Sequence, residues 1–268
     1  MEVRIWGARG SYPASGARFS EFGHHTPCVA VSEGDDLVVL DAGSGAAALG
    51  EYLRENPVRR VHLLLSHFHH DHLMGLPFLL FGAGEQAAIS IHTALGSDVP
   101  LQTTIDTLFS APFFPADPAR LLGRVAFCAH PVGADFAVGD FAVRSAPLDH
   151  PGGSAAFRVS RGRTSVVYAS DLEASLEPST ALVALALKTD LLIHDTMFTR
   201  QESEARRGWG HATFEAATAL AHAASVGVLA GFHHNPLHDD EMLRARERDL
   251  AALCEGAFMA REGQVIRL

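Results

Sequence analysis

The chain predicts an α/β (α+β) fold in which two mixed sheets stack face to face and helices cover their outer sides. Two observations carry this. Apolar runs that read as buried strands alternate with stretches of helical composition, and the middle of the chain holds a series of short strand-like segments punctuated by turn residues. The apolar share, 47% of 268 residues, is ample for a sizeable core, and a single domain over residues 1–268 is expected. No repeat, low-complexity block or linker interrupts it.

The elements follow in order. Val3-Arg4-Ile5-Trp6 reads as a strand, and Gly7-Ala8-Arg9-Gly10-Ser11-Tyr12-Pro13 as a loop whose glycines permit close backbone approach. The strand Val29 to Ser32 follows His24 and His25. Leu37 to Asp41 is a buried strand closing in Asp41-Ala42-Gly43-Ser44-Gly45, and Ala46 to Glu55 is helical. Val61 to Leu65 is a further buried strand. Ala88 to Thr93 reads as a strand, Val99 to Phe109 as a helix, and Ala111 to Pro118 as a loop rich in Pro and Phe. Val125–Ala129, Asp135–Val138, Phe141–Pro147, Ala155–Ser160 and Thr164–Ala169 are expected to form an antiparallel-rich second sheet. Strands Asp190–Asp195 and Val226–Gly231 remain, with helices near Ala181–Leu187, Phe214–Ala224 and Asp239–Glu255.

Composition narrows the function. Net charge is −10 with 21 Lys plus Arg, which disfavours a broad basic face for long nucleic acid. The three cysteines, Cys28, Cys128 and Cys254, lack C-x-x-C spacing and sit in apolar surroundings, as free thiols do in a reducing cytoplasm. With no apolar signal core and no run of roughly 18 to 20 apolar residues, a cytoplasmic protein without membrane insertion is expected.

The chemistry is concentrated in Ser66-His67-Phe68-His69-His70-Asp71-His72, directly behind the strand Val61 to Leu65. His67, His69, Asp71 and His72 fit H-x-H-x-D-H, and imidazole with carboxylate suits zinc or iron better than calcium or magnesium. A turn at the strand's end can aim His67 and His69 at one point, while Asp71 and His72 open the helix suggested by Leu73-Met74-Gly75-Leu76-Pro77 and reach a second point. A histidine-rich surface loop would lack both the spaced Asp and the preceding strand.

This segment resembles the signature of the metallo-β-lactamase fold hydrolases, in the branch of ribonuclease Z and the cyclic-nucleotide phosphodiesterases. The resemblance implies an αββα four-layer sandwich and places Asp41 as a support of the metal loop and the Gly7–Pro13 loop beside the active site. It adds His150, in Leu148-Asp149-His150-Pro151-Gly152, to His67 and His69 around one ion. Asp71, His72 and His233 would hold the other, with Asp171, after Val166-Val167-Tyr168-Ala169-Ser170, bridging the two. His234 competes with His233 for the last position, and the family has no ligand at His24 or His25. His211, in Gly208-Trp209-Gly210-His211-Ala212-Thr213, and Asp195, in His194-Asp195-Thr196, match a histidine and an acidic residue that contact the phosphate or help the leaving group depart, although Asp stands where the family has Glu.

Two divalent ions, zinc in the first instance with manganese or iron as alternatives, would then support hydrolysis of a small phosphodiester such as a cyclic nucleotide by a metal-bound hydroxide, with Asp71 orienting the nucleophile or taking its proton. The alternatives are a ribonuclease Z-like nuclease, a hydrolase of another ester, lactone or thioester, and a metal-binding sensor without turnover. Ribonuclease Z carries a basic, glycine-rich arm in this general region, whereas residues 82 to 124 contain only Arg120 and Arg124 as basic side chains. Oligomeric state is open; related enzymes often dimerise, and Phe113-Phe114 offers an apolar surface for a homodimer.

Overall fold

In the computed structural model of the chain, which describes residues 1–96, 100–115 and 117–268, the first half runs β1 (Glu2–Gly7), β2 (Cys28–Glu33), β3 (Asp36–Leu40), α1 (Gly45–Glu55), β4 (Arg60–Leu65), α2 (Leu76–Gly82), β5 (Ala88–Thr93), α3 (Leu101–Leu108), α4 (Pro118–Leu122) and β6 (Val125–Ala129). The second half runs β7 (Asp135–Val138), β8 (Phe141–Leu148), β9 (Ser154–Arg161), β10 (Thr164–Ala169), α5 (Thr180–Ala186), β11 (Leu191–Asp195), α6 (Arg200–Ala205), α7 (Phe214–Ala224), β12 (Val228–Phe232), α8 (Asp240–Leu253), β13 (Phe258–Met259) and β14 (Val265–Arg267).

Two seven-stranded sheets result, in the orders β14-β1-β2-β3-β4-β5-β6 and β13-β12-β11-β10-β9-β8-β7. Both are mixed: β3 to β6 are parallel and β14, β1, β2 and β3 antiparallel, while β10 to β13 are parallel and β7 to β10 antiparallel. The layering follows from strands that are apolar on both faces. Val38, Leu40 and Leu64 meet Phe157, Tyr168 and Ile193 between the sheets. Leu37, Val39, Leu63 and Leu65 face α1 and α2 through Leu49, Leu53, Leu76 and Leu79. On the far side Val167, Leu192 and Leu229 pack under α5, α7 and α8 through Leu182, Leu220 and Leu250. The expected αββα order is the order found.

Some local expectations change. Val125–Ala129 does not join the second sheet; it pairs in parallel with β5 at the edge of the first. Asp71 and His72 do not open an α-helix. They sit in a 3-10 turn, His70–His72, and α2 begins only at Leu76. The turn is tight because the Asp71 carbonyl accepts from Thr26 Oγ1 at 2.7 Å and the His72 carbonyl from Ala42 N at 2.8 Å, so neither carbonyl continues a helix. The expected helix start at Val99 and one residue of the Ala111–Pro118 loop, Ala116, lie outside the described residues. The three cysteines are free, with Cys28 buried and Cys128 and Cys254 half-buried. Among the described residues no helix is long and apolar enough to cross a membrane.

Candidate metal centre

The strands bring their ends to one edge. β3 and β4 are parallel, β10, β11 and β12 are parallel, and two antiparallel steps leave β8 pointing the same way as β10. The residues that follow these strands (Asp41, Ser66 to His72, His150, Asp171 and His233) therefore emerge along the mouth between the sheets, and Asp195 ends β11 there. Asp41, Asp171 and His233 all have left-handed backbones, with φ of 59°, 60° and 56°. Each is a sharp turn that swings its side chain back across the end of the sheet, a conformation held only where tertiary contacts fix it.

The side chains that the sequence singled out converge. His67, His69 and His150 form one group of potential ligands and Asp71, His72 and His233 a second; Asp171 joins His67 and His72 in a third and Asp195, His211 and His233 in a fourth. His150 Nε2 lies 3.1 Å from His69 Nδ1. His72 Nε2 is 3.3 Å from Asp71 Oδ2 and 3.2 Å from Asp171 Oδ2, and His233 Nε2 is 3.4 Å and 3.3 Å from the same two oxygens. Four ligand atoms at 2.0–2.1 Å around a tetrahedral ion stand roughly 3.3–3.4 Å apart, so the spacings fit ligand shells. Burial makes the same point: His67 Nε2 and His72 Nε2 are buried without a hydrogen-bond partner, an expensive arrangement for groups that nothing binds.

The opposite ring atoms are pinned. His72 Nδ1 donates to Asp41 Oδ2 at 2.7 Å, which fixes Nε2 as the free lone pair. His150 Nδ1 donates to the Gly210 carbonyl at 2.8 Å, and His67 Nδ1 lies 3.0 Å from Ser66 Oγ. Asp41 also accepts from Ser66 N, Ser66 Oγ and Tyr168 OH, each within 2.8 Å. This is the supporting place expected of it. Such partners orient metal-binding imidazoles and raise their basicity.

Electrostatics complete the centre. Burial resists the charge of Asp71 and Asp171, but the surrounding histidines overcome it and hold both well below the usual carboxylate range. Burial drives His67 well below its ordinary value, whereas His72, despite burial, is pushed up by Asp171, Asp71 and Asp41. The cluster thus favours positive charge in its midst.

The loop after β1 closes one side. Ser11 N donates to Asp71 Oδ2 at 2.8 Å, and a Cβ on Gly10 would stand 2.5 Å from the His233 ring, so only glycine fits there. Arg9 is wholly buried and donates to the carbonyls of Gly23 and His238 at 2.8 and 2.6 Å; it secures the loop. On the other side His211 Nδ1 lies 2.8 Å from Asp195 Oδ2, and its ring stacks 5.0 Å from that of His233. Burial opposes charge on His211, yet Asp195 outweighs it and lifts the imidazole to about 9.

His234 turns away: its Nε2 bonds the Ala260 carbonyl at 2.7 Å and its ring packs on Phe22. His25 bonds Ser44 and His24 the Gly16 carbonyl, outside every ligand group. Phe113 of the expected apolar loop is 73% exposed, while Phe114 packs edge-on against Phe109. Sequence reasoning missed Tyr168, Thr26 and Glu173. Tyr168 looks like any core aromatic, and Glu173 Oε2 proves to hold the amides of Gly208 and Gly210 at 3.2 and 2.8 Å.

A family model described as a beta-lactamase superfamily domain matches residues 37–234. Ribonuclease Z of Synechococcus sp. (strain CC9902) is 25% identical over 284 residues, spanning 88% of this chain and 87% of the relative. The solved metallo-beta-lactamase fold protein YhfI from Bacillus subtilis superposes with a TM-score of 0.75 at 21% identity, covering 99% of this chain and 98% of that one. A diphosphatase from the PhnP family superposes with a TM-score of 0.72 at 15% identity over 100% and 97% of the two chains. At these identities the two structures bear on the fold alone.

Proposed function

This chain belongs to the beta-lactamase superfamily and is a metal-dependent hydrolase, and from that premise we propose that it is a phosphodiesterase acting on a small phosphodiester such as a cyclic nucleotide. The observation that carries the choice of bond is the 2.8 Å Asp195–His211 hydrogen bond, which favours the charged form of an imidazole lying among the potential ligands. A cationic donor there suits an anionic substrate and an alkoxide leaving group better than it suits a neutral lactone.

His67, His69 and His150 would hold one divalent ion and Asp71, His72 and His233 a second, with Asp171 shared and residues 1–268 acting as one domain. The donor set of imidazoles and carboxylates favours zinc, with manganese or iron also suited. Bound there, two such ions would activate water and neutralise the developing phosphoryl charge.

The chain's own residues do the rest. Asp71, its Oδ2 held by the Ser11 amide, orients the attacking water. His211 keeps its Nδ1 proton on Asp195 and delivers the Nε2 proton to the leaving oxygen. Asp195, which also accepts from Met197 N at 2.8 Å and Ala212 N at 3.3 Å, holds that imidazole in place and charged. Names among the relatives agree with cleavage at phosphate: one is a ribonuclease and one neighbour a diphosphatase.

The ribonuclease Z likeness also favours a second reading, cleavage of RNA. Charge argues against it. The chain carries −10, and Arg124, one of the two basic residues between 82 and 124, spends its guanidinium on the carbonyls of Gly84 and Leu80.

The test is turnover of bis(p-nitrophenyl) phosphate, 3′,5′-cyclic nucleotides, precursor RNA, lactones and thioesters by zinc-loaded protein beside a His67→Ala, Asp71→Ala control. Phosphodiester turnover well above the control is expected. Activity confined to RNA, lactones or thioesters would replace this reading.

A further inference from the structure

Trp209 is 62% exposed, although its neighbour Gly210 supplies the carbonyl that fixes His150. Its backbone is pinned. Trp209 N donates to the Arg206 carbonyl at 3.1 Å, and the amides on either side, Gly208 and Gly210, donate to Glu173 Oε2. Both glycines are left-handed, with φ of 80° and 79°, so the chain bends sharply before and after the indole. The indole lies over the Arg206 guanidinium on one side and is otherwise open to solvent.

Behind the indole, planar groups run outward from the metal centre. The His211 ring, stacked on His233, meets the edge of Phe198 at 5.5 Å. The Arg206 guanidinium lies 5.5 Å from the Phe198 ring and 5.9 Å from the Trp209 indole. A cation therefore stands between two aromatic rings, one touching His211 and the other open to solvent. Arg207 is exposed on the same short stretch, whereas Arg200 pairs with Glu204 at 3.8 Å.

On the phosphodiesterase reading, on which this rests, we propose that Trp209, backed by Arg206, is the platform on which the aromatic base of a nucleotide substrate stacks. Every nucleobase has a π-face, so an indole selects nucleosides over alkyl groups without selecting one base. Arg206 draws the anionic substrate to this rim, and His211 receives its phosphate end. Specificity for nucleoside phosphodiesters thus comes from a rim residue that touches no ligand of the metals.

The experiment compares two esters with the same leaving group, thymidine 5′-(p-nitrophenyl phosphate) and methyl p-nitrophenyl phosphate, on zinc-loaded protein. Trp209→Ala should cut the ratio of their kcat/KM values about tenfold, chiefly through KM for the nucleoside ester, and Trp209→Phe should restore most of it. An unchanged ratio overturns the platform while leaving the phosphodiesterase reading intact. Should the native protein turn over neither ester, the phosphodiesterase reading rests on the cyclic-nucleotide assay and binding decides the platform separately. In a Trp6→Phe protein Trp209 is the remaining tryptophan of two. Saturable quenching of its fluorescence by adenosine 5′-monophosphate, absent with methyl phosphate, supports the platform, and its absence overturns it.

Discussion

Asp41 Oδ2 sits 2.7 Å from His72 Nδ1, with both side chains fully buried and Tyr168 OH on the same carboxylate oxygen. The carboxylate thus sets the tautomer of His72 from behind and leaves Nε2 bare toward Asp71 and Asp171. Because Asp41 belongs to none of the ligand groups, Asp41→Asn is expected to weaken zinc binding roughly 10- to 100-fold while leaving the chain folded. Competition with a chromophoric chelator measures this, with circular dichroism as the check on folding; unchanged affinity would remove Asp41 from its supporting role.

His211 supplies a second prediction. As a proton donor it works only while charged, so the benefit is present below its folded-state value and is lost as pH rises through it. That value is raised to about 9, mainly by Asp195 against the effect of burial. Asp195→Asn removes the anion that holds it there and should move the alkaline limb of kcat down by about a unit or more. His211→Ala should lower kcat by about 100-fold with metal content unchanged. Loss of metal from His211→Ala would make it a ligand instead.

Metal removal should also destabilise the fold, because His67 Nε2 is buried without a hydrogen-bond partner and the carboxylates of Asp71 and Asp171 crowd together around His72 Nε2. A ligand at 100 times its Kd stabilises by about 2.7 kcal/mol, which for a chain of this size corresponds to roughly 5–10 °C. Thermal unfolding with and without a chelator reads this directly, and equal melting temperatures would count against a structural contribution from bound ions.

Away from the site, His92 Nδ1 lies 3.0 Å from His130 Nε2, and His92 Nε2 lies 2.8 Å from Ser90 Oγ. Burial, with His130 and His62 nearby, lowers His92 to about 4. The unfolded chain takes up this proton near the ordinary value of about 6.5. The contribution of neutral His92 is therefore full above that pH and is lost as pH falls toward 4. After allowance for partial exposure, the loss is on the order of 1–2 kcal/mol by pH 4.5. Comparing melting temperatures of metal-free native and His92→Gln proteins from pH 7.5 to 4.5 should show the flatter dependence in the variant.

The strands whose ends build the site were legible because their second halves are buried: β4 and β10 end in the apolar runs Leu63-Leu64-Leu65 and Val166-Val167-Tyr168-Ala169, and each is followed, after one serine, by a ligating type of residue. His150, Asp171 and His233 were found only through the family resemblance, since a lone His or Asp at a strand end carries no metal signal of its own. The pairing of β6 with β5 was not legible, because alternation along a strand says nothing about which sheet it joins. β13 and β14 span two and three residues and are too short to show a period. The short helix α6 did have a signal, the Thr199–Glu202 capping box, which the sequence reading passed over.

The central claim is that His67, His69, Asp71, His72, His150, Asp171 and His233 hold a pair of cations, and metal stoichiometry tests it most directly. Elemental analysis of protein dialysed against zinc and then freed of excess should give two ions per chain, falling to one in His150→Ala or in His233→Ala and to about none when both are replaced. One ion or none in the native protein, or a stoichiometry that neither substitution lowers, would contradict it.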